Sequence, residues 1–215
     1  MVAMMAAMSL QSCLDDDDNN GYTRFPNALV TLKTNVADGK FYLQLDDSTT
    51  VIPSNIRTAP YGGKELRALA NLSIDKNQSE KHTLTAYVNW MDTIRTKPMA
   101  PDMGAENAKT YGEDPLELVR DWTTIVEDGY LTLRFRTYYG NGKTHTLNLV
   151  KTDKPYEVML YHDAKGDTGG QIRDGLIAFR LSDLPDTEGK EEYLTLKWKS
   201  FSGEKQVKFK YRTRP

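Results

Sequence analysis

The chain has 215 residues, of which 39% are hydrophobic and 27% are charged, and its formal net charge is −2. This balance excludes an intrinsically disordered chain, and it provides no broad basic field of the kind that nucleic-acid binding uses. The length allows one large domain or two small ones. Tyrosine is frequent, with 12 residues, and threonine is plentiful. Because both favour a pleated, half-buried surface, the composition predicts an all-β fold.

The first residues have the pattern of an export signal. Val2 to Leu10 form an apolar block that is too short to span a bilayer but long enough for the hydrophobic part of a signal peptide. Leu10, Gln11 and Ser12 lead directly into Cys13, the only cysteine, and this spacing resembles a bacterial lipobox. We therefore predict that residues 1–12 are removed and that the Cys13 sulfur, as the nucleophile, becomes lipidated. Acyl chains such as palmitate would then anchor the protein to a membrane without a spanning helix.

Two readings of this region stay open. A free cysteine in a cytosolic start is the alternative to lipidation, because no Lys or Arg precedes the apolar block, although a start codon upstream of Met1 also accounts for that. The acidic run Asp15 to Asp18 fits a solvated spacer. It also resembles the signal that directs Bacteroidetes lipoproteins to the cell surface. We assign residues 13–24 as an acidic tether and predict a location at the outer membrane.

Residues 25–97 show five short strand patterns separated by polar turns. The patterns are "ALVTLKT", "FYLQL", "TVIP", "KELRALANLSI" and "HTLTAYVNW". Of these, "KELRALANL" is also compatible with a turn of helix. Five short strands in so small a segment predict an OB-like closed barrel.

A stretch rich in Pro, Gly and Ala follows, and it predicts a linker over residues 98–114. Residues 115–215 then alternate apolar and polar positions more regularly, which predicts an antiparallel β-sandwich. The residues predicted to line its inner faces are Leu131, Leu133, Phe135, Leu147, Leu149, Leu194, Leu196, Trp198, Val207, Phe209 and Tyr211.

Several segments together resemble the NigD-like lipoproteins of Bacteroidetes. They are the lipobox followed by aspartates, "FYLQLDDSTTVIPSN", "DPLELVRDWTTIVEDGYLTLRF", "HTLNLV", "GLIAFRLSDL" and "SGEKQVKFKY". The resemblance covers essentially the whole mature chain. It implies an N-terminal OB-type barrel, a C-terminal β-sandwich and an association of the founding member with a bacteriocin operon. It assigns a role to no residue other than Cys13.

Catalytic and metal-binding patterns are weak. The three histidines, His82, His145 and His162, have no paired spacing, and no second cysteine is present, so we predict no metal and no cofactor. His145 is expected at the rim of the core. His162 and Asp167 lie in "YHDAKGDTGG", which is better explained as a polar hairpin loop than as a cation site. A pair of catalytic carboxylates for glycoside cleavage leaves no trace in sequence spacing.

Several aromatic and basic residues are candidate binding groups. Trp90, Trp122 and Trp198 sit in apolar strand patterns, so we expect them in the core rather than stacked on sugars. The last strand carries a basic strip that we expect to be a solvated sheet edge, and nucleic acid is not an expected partner. The strip consists of Lys205, Lys208, Lys210, Arg212 and Arg214. Two triplets resemble Bacteroidetes O-glycosylation motifs and predict modification of Ser48 and Thr93.

The sequence thus predicts a two-domain, all-β lipoprotein that acts as a non-enzymatic binding or assembly module of the cell envelope. Its membrane contact is the lipid on Cys13. A glycan, a peptide and an envelope protein are the candidate partners. A bacteriocin-immunity protein is the first alternative, and a carbohydrate-active enzyme is the second.

Overall fold

In the computed structural model, which describes residues 21–214, the chain divides into two units between Thr93 and Ile94. Strands make up most of both units, which confirms the all-β prediction. Within the described residues, no helix has the length and apolar character needed to cross a membrane.

The first unit is a closed barrel in which the strand order is β1-β2-β3-β5-β4. Its strands are β1 (Tyr22–Thr34), β2 (Phe41–Gln44), β3 (Thr50–Pro53), β4 (Leu66–Asp75) and β5 (Thr83–Thr93). A 3-10 turn, Tyr61–Gly63, lies between β3 and β4. β3 and β5 pair in parallel, and the other four pairs of neighbours around the barrel are antiparallel. The segment "KELRALANLSI" forms β4, so the strand interpretation is confirmed over the helical one.

The barrel core is built from alternate residues of the strands. Small side chains are frequent in it, because the interior of a five-stranded barrel leaves little room. Its buried members are Ala28, Val30, Leu32, Phe41, Leu43, Val51, Ala68, Ala70, Leu72, Ala86 and Val88. Residues between these positions lie on the opposite side of each strand, where Leu29, Thr31 and Arg67 are also buried.

The second unit is a sandwich of two sheets. One sheet has the order β10-β11-β13-β14, and the other has the order β6-β12-β9-β7 with β8 paired to β9. The strands are β6 (Arg95–Pro98), β7 (Glu117–Val119), β8 (Ile125–Glu127), β9 (Tyr130–Tyr139), β10 (Thr146–Lys151), β11 (Glu157–Asp163), β12 (Gln171–Arg180), β13 (Glu192–Ser200) and β14 (Gly203–Tyr211). A 3-10 turn, Gly104–Glu106, and the short helix α1, Asn107–Tyr111, lie between β6 and β7.

The inner faces of the sandwich match the predicted alternation. Leu131, Leu133 and Phe135 of β9 are buried against Leu194 and Leu196 of β13 in one core cluster. Val207 and Phe209 are partly buried and pack against that cluster. Two pairings, β11 with β13 and β6 with β12, are parallel, whereas the sequence predicted an antiparallel sandwich. Alternation specifies which residues face inward and carries no information about strand direction.

The domain limits differ in detail from those inferred from composition. The barrel was predicted to extend over 25–97, but β6 pairs with β12 of the second unit. The predicted linker 98–114 contains the buried Met99 and the helix α1, so it is an ordered part of that unit. β1 begins within the predicted tether 13–24. Residues 1–12 and Cys13 lie outside the described residues.

Candidate functional site

A β-bulge in β5 controls which side chains the barrel presents to solvent. Val88 pairs with Leu72 and Trp90 pairs with Asn71, so Asn89 is an extra residue between two consecutive positions of β4. Before the bulge, Ala86 and Val88 face the core. Strict alternation would bring Trp90 inward with them, but the extra residue turns Trp90 outward.

Two large aromatic side chains are consequently exposed on one face of the barrel. Tyr87 is 50% exposed and Trp90 is 42% exposed. They pair with Ser73 and Asn71, which are two residues apart on β4. Because same-face neighbours on a strand are about 7 Å apart, the two side chains leave the sheet from backbone positions separated by roughly that distance. Neither the Tyr87 hydroxyl nor the Trp90 indole N–H has a hydrogen-bond partner among residues 21–214.

An amide network lies beside these rings. The Asn89 Nδ2 atom donates to Asn71 Oδ1 at 2.7 Å and to Ser73 Oγ at 3.0 Å. These bonds fix the orientation of both amides. Asn89 Oδ1 and Asn71 Nδ2 form no further hydrogen bond within the described part of the chain. The pair therefore presents one acceptor and one donor in fixed positions next to the exposed aromatic rings.

A third aromatic residue lies at the far end of β5. Tyr61 is 47% exposed, and its hydroxyl is 3.4 Å from the backbone carbonyl oxygen of Met91, the neighbour of Trp90. Its backbone φ is 54°, in the left-handed region that a bulky residue rarely adopts. Such strain is often retained at functional positions. We use the name aromatic surface for Tyr61, Asn71, Tyr87, Asn89 and Trp90.

The aromatic surface is nearly free of charge along β5. Of the eleven residues of this strand, Asp92 alone carries a charge. The surface can therefore provide ring faces and neutral hydrogen-bonding groups to a ligand. It offers no cation for a phosphate or sulfate group.

The sequence prediction for the tryptophans was right for one residue and wrong for two. Trp198 is 6% exposed and belongs to the sandwich core. Trp90 and Trp122 are exposed, although both were expected in the core. For Trp90 the cause is the bulge at Asn89, which alternation does not reveal. Trp122 follows Asp121 in a turn whose Thr123 N–H and hydroxyl bind the Asp121 carboxylate, and this turn directs the ring to solvent.

The structure brings His145, His162 and Asp167 together at one end of the sandwich. The side chains of His145 and Asp167 and the whole of His162 are each 2% exposed. His145 Nδ1 lies 3.0 Å from His162 Nε2, and His145 Nε2 lies 3.5 Å from Asp167 Oδ2. The ring of Tyr139 stacks on His145 with centroids 4.3 Å apart. The predicted hairpin loop thus contributes Asp167 to a buried cluster.

Asp167 holds two loops together. Its Oδ1 atom accepts hydrogen bonds from the backbone N–H groups of Gly140 at 2.8 Å and Asn141 at 3.0 Å. His82 belongs to the other unit, the barrel. Across residues 21–214, no three His, Cys, Asp or Glu side chains are arranged to hold a metal ion. The cluster therefore has the geometry of a structural hydrogen-bond network.

The predicted basic strip lies on β14, an edge strand, as expected. Lys205 binds Glu117 at 3.0 Å and Lys210 binds Glu191 at 3.0 Å. These partners neutralise part of the strip, which agrees with a role as a solvated edge.

The predicted modification sites are at the surface where the structure describes them. Ser48 is exposed in a turn in which Asp46 Oδ1 accepts the Ser48 N–H at 2.8 Å. Thr93 is exposed at the end of β5. Their glycosylation stays a prediction, as does the lipidation of Cys13.

Two family models together cover most of the chain. Residues 29–94 match the NigD-like N-terminal OB domain, and residues 98–211 match the NigD-like C-terminal beta sandwich domain. Among curated proteins there is no significant match.

Solved structures of proteins from Parabacteroides and Bacteroides share the fold. A protein described as toxin related from Parabacteroides distasonis is 31% identical, with a TM-score of 0.73, 88% of this chain covered and 94% of that one. A protein of unknown function (DUF1344) from Bacteroides vulgatus is 18% identical, with a TM-score of 0.68 and coverages of 86% and 90%. A NigD-like immunity protein from Bacteroides caccae is 22% identical, with a TM-score of 0.60 and coverages of 86% and 96%.

Proposed function

The chain belongs to the NigD-like family, and we propose that it is a non-catalytic binding module of the cell envelope. In this proposal, lipid on Cys13 holds the protein at the outer membrane, and the aromatic surface of the barrel contacts the ligand. A glycan, a peptide and another envelope protein are the ligand classes that suit such a module.

The observation that carries the proposal is the outward orientation of Tyr87 and Trp90 on either side of Asn89. Single exposed aromatics are common on protein surfaces, as Trp122 and Tyr193 are here, but adjacent exposed rings form a patch of the kind that marks a binding site. Here the barrel core is complete without them, since Ala86 and Val88 fill the inward positions of β5. A contact with a ligand gives the two rings a role that packing does not.

A non-catalytic role agrees with the electrostatics of the most strongly shifted acid. The pKa of Asp174 is lowered to about 2 by the Arg136 hydrogen bond, against an opposing effect of burial, and by Arg134. This carboxylate is held in an ion-pair network on the sandwich, with Arg136 Nε 2.6 Å away. A general acid needs the opposite shift, toward a pKa near neutrality.

The anchor and the location are tested in growing cells. Wild type and Cys13→Ala are labelled with a palmitate analogue, and intact cells are then treated with protease. We expect label on the wild type alone and its digestion on intact cells. Absence of label from the wild type would remove the anchor from the proposal.

The binding role is tested with a photo-crosslinking amino acid placed at Tyr87. The matched control carries the same amino acid at Tyr193, an exposed tyrosine of the sandwich. We expect adducts from position 87 that are absent from position 193. Equal adducts at both positions, or none at 87, would contradict a binding role for the aromatic surface.

A bacteriocin-immunity role is a second candidate, supported by the words used for two structural relatives, toxin related and NigD-like immunity protein. It predicts that deletion of the gene sensitises cells to culture supernatants of related strains. Complementation with Cys13→Ala would then fail, since neutralisation at the surface requires the anchor. Unchanged survival of the deletion strain across such supernatants would exclude this role.

A further inference from the structure

We infer that the aromatic surface binds an extended, neutral glycan chain that lies along β5. The inference rests on the proposed binding function and assigns the class of ligand. The rings of Tyr87 and Trp90 stack on the apolar faces of sugar rings, and the amides of Asn71 and Asn89 bind sugar hydroxyls.

The arrangement of rings and amides matches the chemistry of a sugar. A pyranose has C–H groups on its ring faces and hydroxyls at its edges, so it needs an aromatic plane below and polar groups beside it. Tyr87 and Trp90 provide two such planes, on backbone positions about 7 Å apart. Between them, Asn89 Oδ1 accepts and Asn71 Nδ2 donates, and both amides are already fixed by the 2.7 Å bond that joins them. The fixed amides reduce the conformational entropy lost on binding.

Charge along β5 favours an uncharged ligand. Binding of nucleic acid or of a sulfated or phosphorylated glycan depends on several Lys and Arg residues at the contact. β5 contains neither, and its one charged residue is Asp92, which repels anions. One cation flanks this face, since Arg24 of β1 pairs with Ser73, the β4 partner of Tyr87. One anion and one flanking cation do not make a polyanion site, and an uncharged chain is the complementary ligand.

A peptide that adds as a strand needs a free sheet edge. Around Tyr87, β5 has none, because β4 pairs with it on one side, while on the other side β3 pairs with Thr83–Ala86 and the Asn55 side chain binds the N–H and carbonyl groups of Val88. A ligand over Tyr87 therefore contacts side chains, as a sugar ring does when it stacks on an aromatic face.

The inference is tested by affinity electrophoresis of the full chain carrying Cys13→Ala, which removes the lipid. Gels contain hydroxyethylcellulose, galactomannan, xyloglucan or dextran as neutral probes, and polygalacturonate as the anionic probe. We expect retardation by at least one neutral polysaccharide and none by polygalacturonate. Retardation by none of the neutral probes, or by polygalacturonate alone, would overturn the inference.

Variants locate the contact. Tyr87→Ala and Trp90→Ala should each weaken the retardation at least about fivefold, the size of effect expected of a residue that dominates a contact. Asn89→Ala should weaken it while leaving both rings in place. Trp122→Ala and Tyr193→Ala remove exposed aromatics of the sandwich and should change nothing. Equal losses in these controls would contradict the assignment, and thermal melts confirm that each variant is folded.

The outcome separates this inference from the broader proposal. If no neutral polysaccharide retards the protein while the crosslinker at position 87 forms an adduct with a protein, the proposed ligand class is wrong and the proposed binding role is retained. If both experiments are negative, the binding role fails as well.

Discussion

His145 Nδ1 lies 3.0 Å from His162 Nε2 in the interior of the sandwich, and the two rings belong to a short chain of hydrogen bonds that starts at a backbone carbonyl group. His162 Nδ1 is 3.1 Å from the backbone oxygen of Asp114, which can only accept a hydrogen bond. His162 therefore donates from Nδ1 and accepts at Nε2, so that the proton between the rings belongs to His145. This pattern holds only while His162 is neutral.

The stability of the sandwich is expected to decrease in mild acid. Burial lowers the pKa of His162 below its ordinary 6.5, although the Asp114 carbonyl partly opposes this. The unfolded chain then takes up a proton at a higher pH than the folded chain does. Neutral His162 therefore makes its full contribution to the free energy of unfolding above pH 6.5. This contribution is lost as the pH falls toward the folded-state pKa, by up to about 1.4 kcal/mol per pH unit. Urea denaturation between about pH 7.5 and pH 5, on both sides of the ordinary pKa of histidine, measures this slope.

The His162→Asn variant keeps a hydrogen-bond donor toward the Asp114 carbonyl group but has no imidazole to titrate. Its free energy of unfolding should therefore depend less on pH than that of the wild type. The control is His82→Asn at an exposed position of the barrel. Parallel curves for wild type and His162→Asn would show that His162 does not cause the acid sensitivity.

Gly175→Ala should destabilise the sandwich. A Cβ atom at Gly175 would lie 2.6 Å from Cζ of Phe135, which packs over the glycine from the neighbouring strand β9. The ring is enclosed by the core and cannot move freely, so we expect a loss of about 1–3 kcal/mol in the free energy of unfolding. Gly169→Ala is the control, because a Cβ there meets nothing within 4 Å. Recovery of stability in the double variant Gly175→Ala with Phe135→Leu would identify the steric contact as the cause.

Tyr61→Gly should be more stable than Tyr61→Ala by about 1 kcal/mol. Both substitutions remove the ring and its contact with the Met91 carbonyl group, but only glycine adopts the φ of 54° without a steric penalty. Both variants should weaken ligand binding equally. Thermal melts measure the first effect and affinity electrophoresis the second. Equal stability of the two variants would mean that the backbone at this position carries no strain.

Asp174→Asn should lower the free energy of unfolding by less than about 1 kcal/mol. The Asp174 carboxylate forms ion pairs with Arg134 and Arg136, and these ion pairs are partly exposed to solvent. The carboxylate contributes above pH 3.8, and its contribution is lost as the pH falls toward about 2. The effect should shrink in about 1 M salt, where screening is strong. Glu188→Gln, at an exposed ion pair with Lys190, is the control. A loss that is insensitive to salt would argue against an ion pair as its origin.

Alternation of apolar residues predicted most of the core. Leu131, Leu133 and Phe135 are buried where a period of two places them, and so is Trp198. The same rule misplaced Trp90, because one extra residue at a bulge reverses the parity and leaves no mark in composition.

The contacts within the histidine cluster also could not be predicted from the spacing of residues along the sequence. His145 and His162 meet because β10 and β11 pair in a register that joins Leu147 to His162. Asp167 reaches them by folding back from the following loop. Such contacts depend on strand register and loop conformation, which a single sequence does not specify.

Because Asn89 is the extra residue of the bulge in β5, it can be removed without changing the direction in which the other side chains of the strand face. Deletion of this one codon would restore a regular strand in which Tyr87 and Trp90 still face solvent, while Val88 and Met91 still face the core. The aromatic planes and the barrel packing would survive, and only the amide between the planes would disappear. Gain or loss of a single codon can therefore change the polar groups of this face without any compensating change in the hydrophobic interior.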